Sequence, residues 1–387
     1  MSGFSRTTGT FPLKTADLAQ PGDATKSEWA AHFWEGCDVA AWWRMLARNR
    51  FRVHGSKAYV AASVTFVSVG NTIGRFVQSA LYGDRVRRTR ITQPPVFILG
   101  HWRSGTTLLH ELLITDPRHA FPNTYECLAP HHFLFTESWL PPWIRWMMPT
   151  RRPMDNMSAG WDRPQEDEFA LCLLGQPSPY ARIAFPNTEP DDGSLDLSGL
   201  TPRQRMEWTR AFRRLLTELT LQHGGRRLIL KSPPHTCRIA TLVEMFPEAR
   251  FVHIVRNPFV LYASTIRLWK TLFTTQGLQR PTFAGLEERV LATFELMYRR
   301  VLADRPLIRD DRWFEIKYED LVREPLPILE RIYSVLDLGD FAPARPGIER
   351  YLDANRDYAV NRHTLSDADR RRVAERWGEA IARYGYE

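Results

Sequence analysis

A strand, a loop and a helix near residue 100 constrain the fold more than any other part of the chain. The apolar run Val96–Leu99 follows two prolines and has the length and composition of a buried strand. Residues 100–107 then read GHWRSGTT, which is the frame G-x-x-x-x-G-x-T. Residues 106–114 predict a helix that ends before an Asp-Pro pair. This order of elements is typical of a loop that holds a phosphate group.

Three later apolar runs predict further strands of the same sheet. They are residues 227–230, 250–255 and 313–318. Helical patterns at residues 238–246 and about 284–302 lie between them, so strands and helices alternate along the chain. Such alternation predicts an α/β fold in which helices flank a parallel sheet.

The net charge favours an anionic partner. The chain has 387 residues with 52 basic and 44 acidic side chains, a formal net charge of +8, and only six of the basic residues are lysines. This balance suits a phosphorylated cofactor, an anionic lipid or a nucleic acid. The arginines are spread among the acids rather than gathered into a basic stripe, which argues against nucleic acid.

Cysteine usage and the N-terminus predict a cytoplasmic location. The four cysteines form no CxxC pair, so a zinc site or a disulfide framework is not expected and a reducing compartment fits. No apolar secretory segment opens the chain. The most apolar stretch, residues 58–73, is interrupted by polar residues, and we interpret it as a buried or interfacial helix rather than a membrane span.

The glycine-framed loop contains the candidate phosphate ligands. Glycines let backbone amides approach an anion, and the N-terminus of the following helix adds partial positive charge. Nucleoside triphosphatases carry Lys after the second glycine, whereas this chain has Thr106 there and a cation, Arg103, inside the loop. This difference argues against ATP or GTP hydrolysis but not against a 5′-phosphate ligand.

Four segments together resemble the sulfotransferases that use 3′-phosphoadenosine 5′-phosphosulfate (PAPS). Residues 95–109, PVFILGHWRSGTTLL, resemble the family's 5′-phosphosulfate loop. Arg256 at a strand end, with Ser264 eight residues later, resembles its 3′-phosphate motif. LILKSPPHTCRI resembles the strand end that carries a catalytic lysine, here Lys231, and YEDL from Tyr318 onward resembles a further recurrent piece.

The resemblance implies transfer of a sulfuryl group from PAPS to a hydroxyl or amine, without a metal. It implies cations on the sulfuryl group from Arg103 and Lys231. The residues that it implies for binding the nucleotide are Arg103, Ser104, Gly105, Thr106, Thr107, Arg256, Ser264 and Tyr318. Position 108 is Leu, where the cytosolic branch has an aromatic residue that stacks on adenine, so the loop is closer to the tyrosylprotein and bacterial branches. Tyr318 is the candidate for that contact, or else a core tyrosine.

Two residues are candidates for the base that accepts the proton of the acceptor hydroxyl. Glu126 resembles in position the tyrosylprotein-type catalytic Glu, and His235 roughly resembles the catalytic His of the cytosolic branch. We rank Glu126 first. The acidic cluster Glu166-Asp167-Glu168 is interpreted as the charged start of a helix in preference to a metal site.

The sequence predicts one domain after a flexible lead-in. The expected order is lead-in at 1–27, N-terminal helices at 28–93, nucleotide-binding core at 94–117 and 226–325, helical cap insertion at 118–225 and C-terminal helices at 326–387. The cap is expected to bind a small-molecule, lipid or glycan acceptor. Its residues Trp139, Trp143 and Trp146 are consistent with an apolar pocket, a peripheral membrane contact or core packing.

Two rival functions remain at this point. One is a P-loop kinase-like nucleotide enzyme, which the missing loop lysine and the Arg256–Ser264 pair disfavour. The other is a non-catalytic anion-binding protein that uses the net positive charge. The oligomeric state is not predicted by any of these features.

Overall fold

The computed structural model describes residues 15–16, 32–147, 160–189, 192–356, 360–361 and 365–386. The predicted lead-in, residues 1–27, lies outside this range apart from one short strand. That strand, β1, pairs in parallel with a second two-residue strand near the C-terminus.

A five-stranded parallel sheet forms the centre of the fold. Within the described ranges the strands are β1 Thr15–Ala16, β2 Val96–Leu99, β3 His119–Ala120, β4 Arg227–Lys231, β5 Arg250–Val255, β6 Trp313–Lys317 and β7 Val360–Asn361. The order in the large sheet is β3-β4-β2-β5-β6, and every pairing is parallel. The predicted α/β fold with a parallel sheet is therefore confirmed, and the carboxyl ends of β2, β4, β5 and β6 share one edge.

Helices cover both faces of the sheet. They are α1 Val39–Arg48, α2 Ala58–Arg88, α3 Thr106–Leu113, α4 Thr124–Leu128, α5 Phe133–Thr136, α6 Leu140–Trp143, α7 Asp167–Leu173, α8 Ala181–Ala184, α9 Asp192–Leu195, α10 Pro202–Gln222, α11 Ile239–Met245, α12 Pro258–Gln276, α13 Leu286–Asp304, α14 Tyr318–Arg323, α15 Pro325–Val335, α16 Arg345–Ala354, α17 Asp367–Arg376 and α18 Gly378–Tyr384. Helices α4 to α10 belong to the segment that was predicted to be a cap insertion.

The central strand β2 shows why the apolar run near residue 100 governs the fold. Its side chains alternate between the two faces of the sheet, as the two-residue period of a strand requires. Val96 and Ile98 are buried on the face covered by α3 and α15. Phe97 and Leu99 are buried on the opposite face, where Phe97 packs against Phe212 of α10. All four residues are buried because both faces are covered.

The long helix α2 departs from the pattern of a buried helix. Among the described residues, one helix, Gly55–Arg88, is long and apolar enough by length and composition to cross a membrane. Only 22% of its most apolar window is buried in the protein, so it is not a core helix. The buried alternative of the sequence interpretation is therefore wrong for most of this segment, and the interfacial alternative stays a prediction.

A candidate active site at the carboxyl edge of the sheet

The loop between β2 and α3 folds tightly against a tyrosine. Gly105 precedes the helix with φ of +99°, and a Cβ at this position would lie 2.2 Å from Cδ2 of Tyr318. Only glycine fits here, because both the left-handed backbone and the close ring exclude a side chain. The first amides of α3 have no partner within the helix, so they face the edge of the sheet as donors for an anion.

Two arginines and a serine meet beside this loop. Nε of Arg103 donates a hydrogen bond to Oγ of Ser264 at 2.9 Å. Nη1 of Arg256 donates to the carbonyl oxygen of Arg103 at 2.9 Å, and its guanidinium lies 4.2 Å above the ring of Tyr318. Burial raises the pKa of Tyr318, so its hydroxyl is neutral at physiological pH. The structure thus brings together four predicted nucleotide ligands: Arg103 of the loop, Arg256 directly after β5, Ser264 of α12 and Tyr318 at the start of α14.

Lys231, at the end of β4, forms a buried ion pair with a residue that was not among the predicted site residues. Its Nζ lies 2.7 Å from Oε1 of Glu166. The Lys231 side chain is 3% exposed and that of Glu166 is 16% exposed. The hydroxyl of Tyr180 donates to the other oxygen of Glu166, and Nε1 of Trp102 in the loop donates to the Tyr180 oxygen at 3.0 Å. Glu166 therefore connects the lysine to the loop through a continuous chain of hydrogen bonds.

The next two acids of the same cluster pair with the chain that follows Lys231. Oδ2 of Asp167 lies 2.7 Å from Nε2 of His235, and its Oδ1 accepts from Oγ of Ser232 at 2.9 Å. Glu168 forms a buried ion pair with Arg238. Burial alone would raise the pKa of Asp167, but the adjacent His235 and Ser232 hold it below its usual value.

The acidic cluster lies at the start of α7, as predicted, and each of its carboxylates has its own cationic or histidine partner. Within the described part of the chain, no group of three or more histidine, cysteine or acidic residues is arranged to hold a metal ion. The three pairings hold the start of α7 against the end of β4, and this attachment positions Glu166 and Lys231 at the sheet edge.

The two predicted bases contact residues other than Lys231 and Glu166. Glu126 completes the capping box of α4, where its Oε2 accepts from the Asn123 amide at 2.8 Å. Its Oε1 lies 2.8 Å from Nε2 of His223, and the side chain is fully buried. His235 is fully buried as well, with its ring packed edge-on against Phe97. The buried Nδ1 of His235 has no hydrogen-bond partner among the described residues.

A cavity of about 630 Å³ adjoins the loop. Its wall includes His101 and Trp102 of the loop and the aromatic side chains of Trp269 and Phe273 on α12. Several arginines also line it: Arg48, Arg50, Arg52, Arg182 and Arg289. The volume lies within the range of small-molecule sites, and the mixed wall suits a ligand with both apolar and anionic or polar parts.

Sequence reasoning missed Glu166 and Tyr180 because their partners are distant in the chain. Glu166 is 65 residues from Lys231. One signal was available: acids at 166, 167 and 168 face a lysine at 231, a histidine at 235 and an arginine at 238, in the same order. A search for complementary charge patterns across the predicted cap would have paired the two segments.

Comparisons with known proteins identify the family of this chain. The sequence model of the sulfotransferase family matches residues 94–343. The omega-hydroxy-beta-dihydromenaquinone-9 sulfotransferase Stf3 of Mycobacterium bovis is 46% identical over 361 residues, which cover 93% of this chain and 92% of that protein. Stf3 of Mycobacterium tuberculosis matches equally well.

Two solved structures share the fold. Sulfotransferase STF9 from Mycobacterium avium superposes with a TM-score of 0.68 at 20% identity, covering 91% of this chain and 93% of that one. Sulfotransferase STF1 from Mycobacterium tuberculosis superposes with a TM-score of 0.60 at 19% identity, covering 89% and 88%. The resemblance read from the sequence is thus confirmed, and neither rival function is supported: the chain belongs to the sulfotransferase family and is a sulfotransferase.

Proposed function

We propose that this protein transfers the sulfuryl group of PAPS to a hydroxyl group of an apolar lipid acceptor. The observation that carries the proposal is the convergence of Arg103, Lys231 and Arg256 on the edge of the sheet that the glycine-framed loop occupies. PAPS carries two phosphate groups and a sulfate, so it needs several cationic or amide contacts within a short distance of each other.

The donor set fits such a nucleotide. The amides of Gly105, Thr106 and Thr107 would bind the 5′-phosphate, and the Ser104 hydroxyl lies within the same loop. Arg256 and Ser264 would bind a 3′-phosphate, and their shared contacts with Arg103 support this assignment. Gly105 supports the assignment because any side chain there would strike Tyr318 and close the loop.

Tyr318 and Arg256 together would form one wall of the adenine site. The guanidinium already stacks on the tyrosine ring at 4.2 Å. An aromatic ring backed by a cation offers a flat, polarisable surface on which a purine packs. In this chain such a surface would take the place of the aromatic residue that is missing at Leu108.

Glu166 is the group that we assign as the general base. It lies beside Lys231 and is the more exposed partner of that pair, whereas Glu126 and His235 are fully buried and bonded elsewhere. The acceptor hydroxyl gives its proton to Glu166 as its oxygen bonds to sulfur and the bond from sulfur to the bridging phosphate oxygen breaks. The products are a sulfate ester, adenosine 3′,5′-bisphosphate and a proton.

Lys231 would stabilise the charge that moves during this step. When Glu166 accepts a proton its ion pair with Lys231 weakens, and the ammonium group becomes available to the phosphate that leaves. Arg103 supplies a second cation from the loop. His235 and Asp167 act as positioning residues, because their buried pair holds α7 against β4.

The acceptor proposed is a lipid with a terminal hydroxyl, such as a hydroxylated dihydromenaquinone. Stf3, at 46% identity, is named for such a substrate. Trp102, Trp269 and Phe273 line the cavity beside the loop and provide the apolar contact area that this acceptor requires.

The experiment is an incubation of purified protein with PAPS and a lipid extract, followed by mass spectrometry. We expect a gain of about 80 daltons in one hydroxylated lipid and formation of adenosine 3′,5′-bisphosphate, because a sulfate ester replaces a hydroxyl group. The matched control is the Lys231→Ala protein. Sulfation confined to water-soluble hydroxyl compounds would reject the lipid part of the proposal, and absence of donor turnover with every acceptor would reject PAPS as the donor.

A further inference from the structure

The inner face of α2 is polar. Nδ2 of Asn71 donates hydrogen bonds to the carbonyl oxygens of Glu35 at 2.6 Å and Cys37 at 2.8 Å. Oε1 of Gln78 accepts from the amide of Leu134 at 2.9 Å. Asn71 and Gln78 are buried, and these bonds satisfy backbone groups of two neighbouring segments. The helix is therefore attached to the protein through hydrogen bonds in its middle, and through apolar contacts near its beginning, at Val60 and Val64, and near its end, at Tyr82 and Val86.

The outer face of α2 is apolar and exposed. Its large side chains, in chain order, are Tyr59, Phe66, Val69, Ile73, Phe76 and Leu81. Phe66 is 82% exposed and Phe76 is 64% exposed. The one charged residue between these ends is Arg75. It pairs with the carboxylate of Asp38 at 3.3 Å, and its guanidinium lies 5.0 Å from the centroid of the Phe76 ring. A continuous apolar stripe of this kind on a surface marks a site that meets an apolar partner.

The exposed tryptophans of the predicted cap follow a helix that contacts α2. Helix α5, Phe133–Thr136, sits against α2 through the Leu134–Gln78 bond and through His132, whose Nε2 lies 3.0 Å from Oδ1 of Asn71. The chain then continues directly into the tryptophan segment. Trp143 is 77% exposed and Trp146 is 74% exposed, which excludes the core-packing alternative for them. Exposed Trp side chains suit the boundary between lipid and water.

Positive charge borders this apolar surface. The last turn of α2 carries Arg85, Arg87 and Arg88, all exposed. Arg145 is exposed between the two tryptophans. Arginine at the ends of an apolar stripe complements the negative headgroups of an anionic bilayer, whereas it would repel the same cluster on a second copy of this chain.

We propose that the outer face of α2, together with Trp143 and Trp146, docks this enzyme on a bilayer that contains anionic lipid, with α2 lying in the plane of the interface. Crossing the bilayer would require the helix to leave the domain and to expose Asn71 and Gln78 to hydrocarbon. Lying in the interface keeps those bonds and covers the stripe. The surface is separate from the loop and from Lys231, so the inference does not depend on the acceptor.

The test is co-sedimentation of the full-length protein with vesicles of phosphatidylcholine, with and without phosphatidylglycerol. We expect binding to the anionic vesicles at low salt, and a loss of about tenfold or more in the Phe66→Gln, Ile73→Gln, Phe76→Gln triple variant, because amides replace three exposed apolar side chains that would enter the bilayer. The matched control replaces two exposed apolar residues elsewhere, Met206→Gln and Leu307→Gln, and should bind as wild type.

Further readouts separate docking from misfolding and from self-association. The triple variant should keep the wild-type circular dichroism and affinity for adenosine 3′,5′-bisphosphate. Replacement of Arg85, Arg87 and Arg88 by Gln should weaken binding to anionic vesicles only and lower its salt dependence. Wild-type protein that stays in the supernatant with anionic vesicles at low salt would overturn the proposal. A lipid-free dimer that the triple variant converts to monomer would overturn it as well, in favour of a second copy. No donor or acceptor is present, so these outcomes leave the proposed reaction untouched.

Discussion

Proteins usually bury apolar side chains and expose charged ones, and two regions of this molecule depart from that rule. The sheet edge buries charged side chains, whereas the outer face of α2 exposes apolar ones. At the edge, charged side chains such as Lys231, Glu168 and Arg238 are buried. On α2, aromatic side chains such as Phe66 and Phe76 are exposed. Burial of charge and exposure of large apolar groups both cost free energy in isolation. Each reversal therefore points to a partner, an anionic nucleotide at the edge and an apolar medium at α2.

Helix α10 provides the reference for this comparison because it contacts α2 and sorts its residues in the usual way. Its buried side includes Trp208, Phe212 and Leu216, and its exposed side carries the Arg203–Glu207 ion pair. The neighbouring helix thus shows that the domain has no general shortage of apolar side chains for its core. Of these two helices, only α2 exposes its large apolar side chains.

The largest effect is expected from removing the buried cation at the sheet edge. Lys231→Ala should lower kcat about a thousandfold, since it removes a preorganised charge from the transferring group and leaves Glu166 without its partner. Initial rates of labelled sulfuryl transfer measure it. Lys270→Ala, at an exposed lysine of α12, is the control and should keep its rate. Wild-type turnover in Lys231→Ala would mean that the buried charge is structural.

The second effect distinguishes Glu166 from Glu126 as the general base. Glu166→Gln should lower kcat about a hundredfold through loss of proton abstraction, with little change in nucleotide affinity. Glu126→Gln is the matched variant, because Gln also serves in a capping box, and it should turn over as wild type. The reverse pattern in steady-state kinetics would return the role of base to Glu126.

The third effect concerns recognition of the 3′-phosphate. Arg256→Ala should weaken binding of adenosine 3′,5′-bisphosphate about tenfold to a hundredfold, because a charge-assisted hydrogen bond is lost. Calorimetry measures both affinities, with adenosine 5′-monophosphate as the comparison because it lacks the 3′-phosphate. The weaker affinity for adenosine 5′-monophosphate should change little in this variant. Arg280→Ala, at an exposed arginine beyond α12, is the control. Equal losses for both nucleotides would place Arg256 elsewhere in the site.

The fourth effect tests whether the polar face of α2 packs on the protein while its apolar face is exposed. Asn71→Ala should lower the free energy of unfolding by about 2 kcal/mol, because it leaves two carbonyl oxygens without their donor. Phe66→Gln on the outer face should change it by less than about 0.5 kcal/mol in the absence of lipid. Urea unfolding measures both. A larger cost for Phe66→Gln would mean that the outer face is covered in solution.

The smallest effect is a pH dependence at the inner face of α2. Burial, together with the nearby His131, lowers the pKa of His132 to about 4. The unfolded chain then binds more protons than the folded one below the ordinary histidine pKa, so stability falls as pH decreases. Between pH 6.5 and 5.5 this histidine should contribute a loss of about 1 kcal/mol. His132→Gln should flatten that part of the urea-midpoint profile, and an unchanged profile would contradict the assigned shift.

The fold was predictable from local features. The run Val96–Leu99 is long enough for one strand and apolar on both sides, which places it in a covered parallel sheet. The glycine frame after it marked the edge of the sheet at which we predict that an anion binds. Family resemblance then assigned Arg256, Ser264 and Tyr318, and the structure gathers them around the loop.

The pairings of the site were not predictable in the same way. Glu126 has the expected spacing from Arg103, but the capping box and His223 engage its carboxylate. Glu166 looked like an ordinary helix start, and only the packing of α7 on β4 brings it to Lys231. Ion pairs between distant segments depend on how the helices pack on the sheet. No local sequence pattern determines the distance between two such side chains.

The sequence by itself determined the strand, loop and helix of the phosphate-binding edge, the parallel sheet and the family, because each of these follows from neighbouring residues or from short motifs. Only the tertiary structure decided which carboxylate faces Lys231 and which side of α2 is covered. Both depend on contacts between segments far apart in the chain. The sequence of α2 shows one polar and one apolar face. The polar face packs against the protein because its side chains bond to backbone groups of residues such as Glu35 and Leu134.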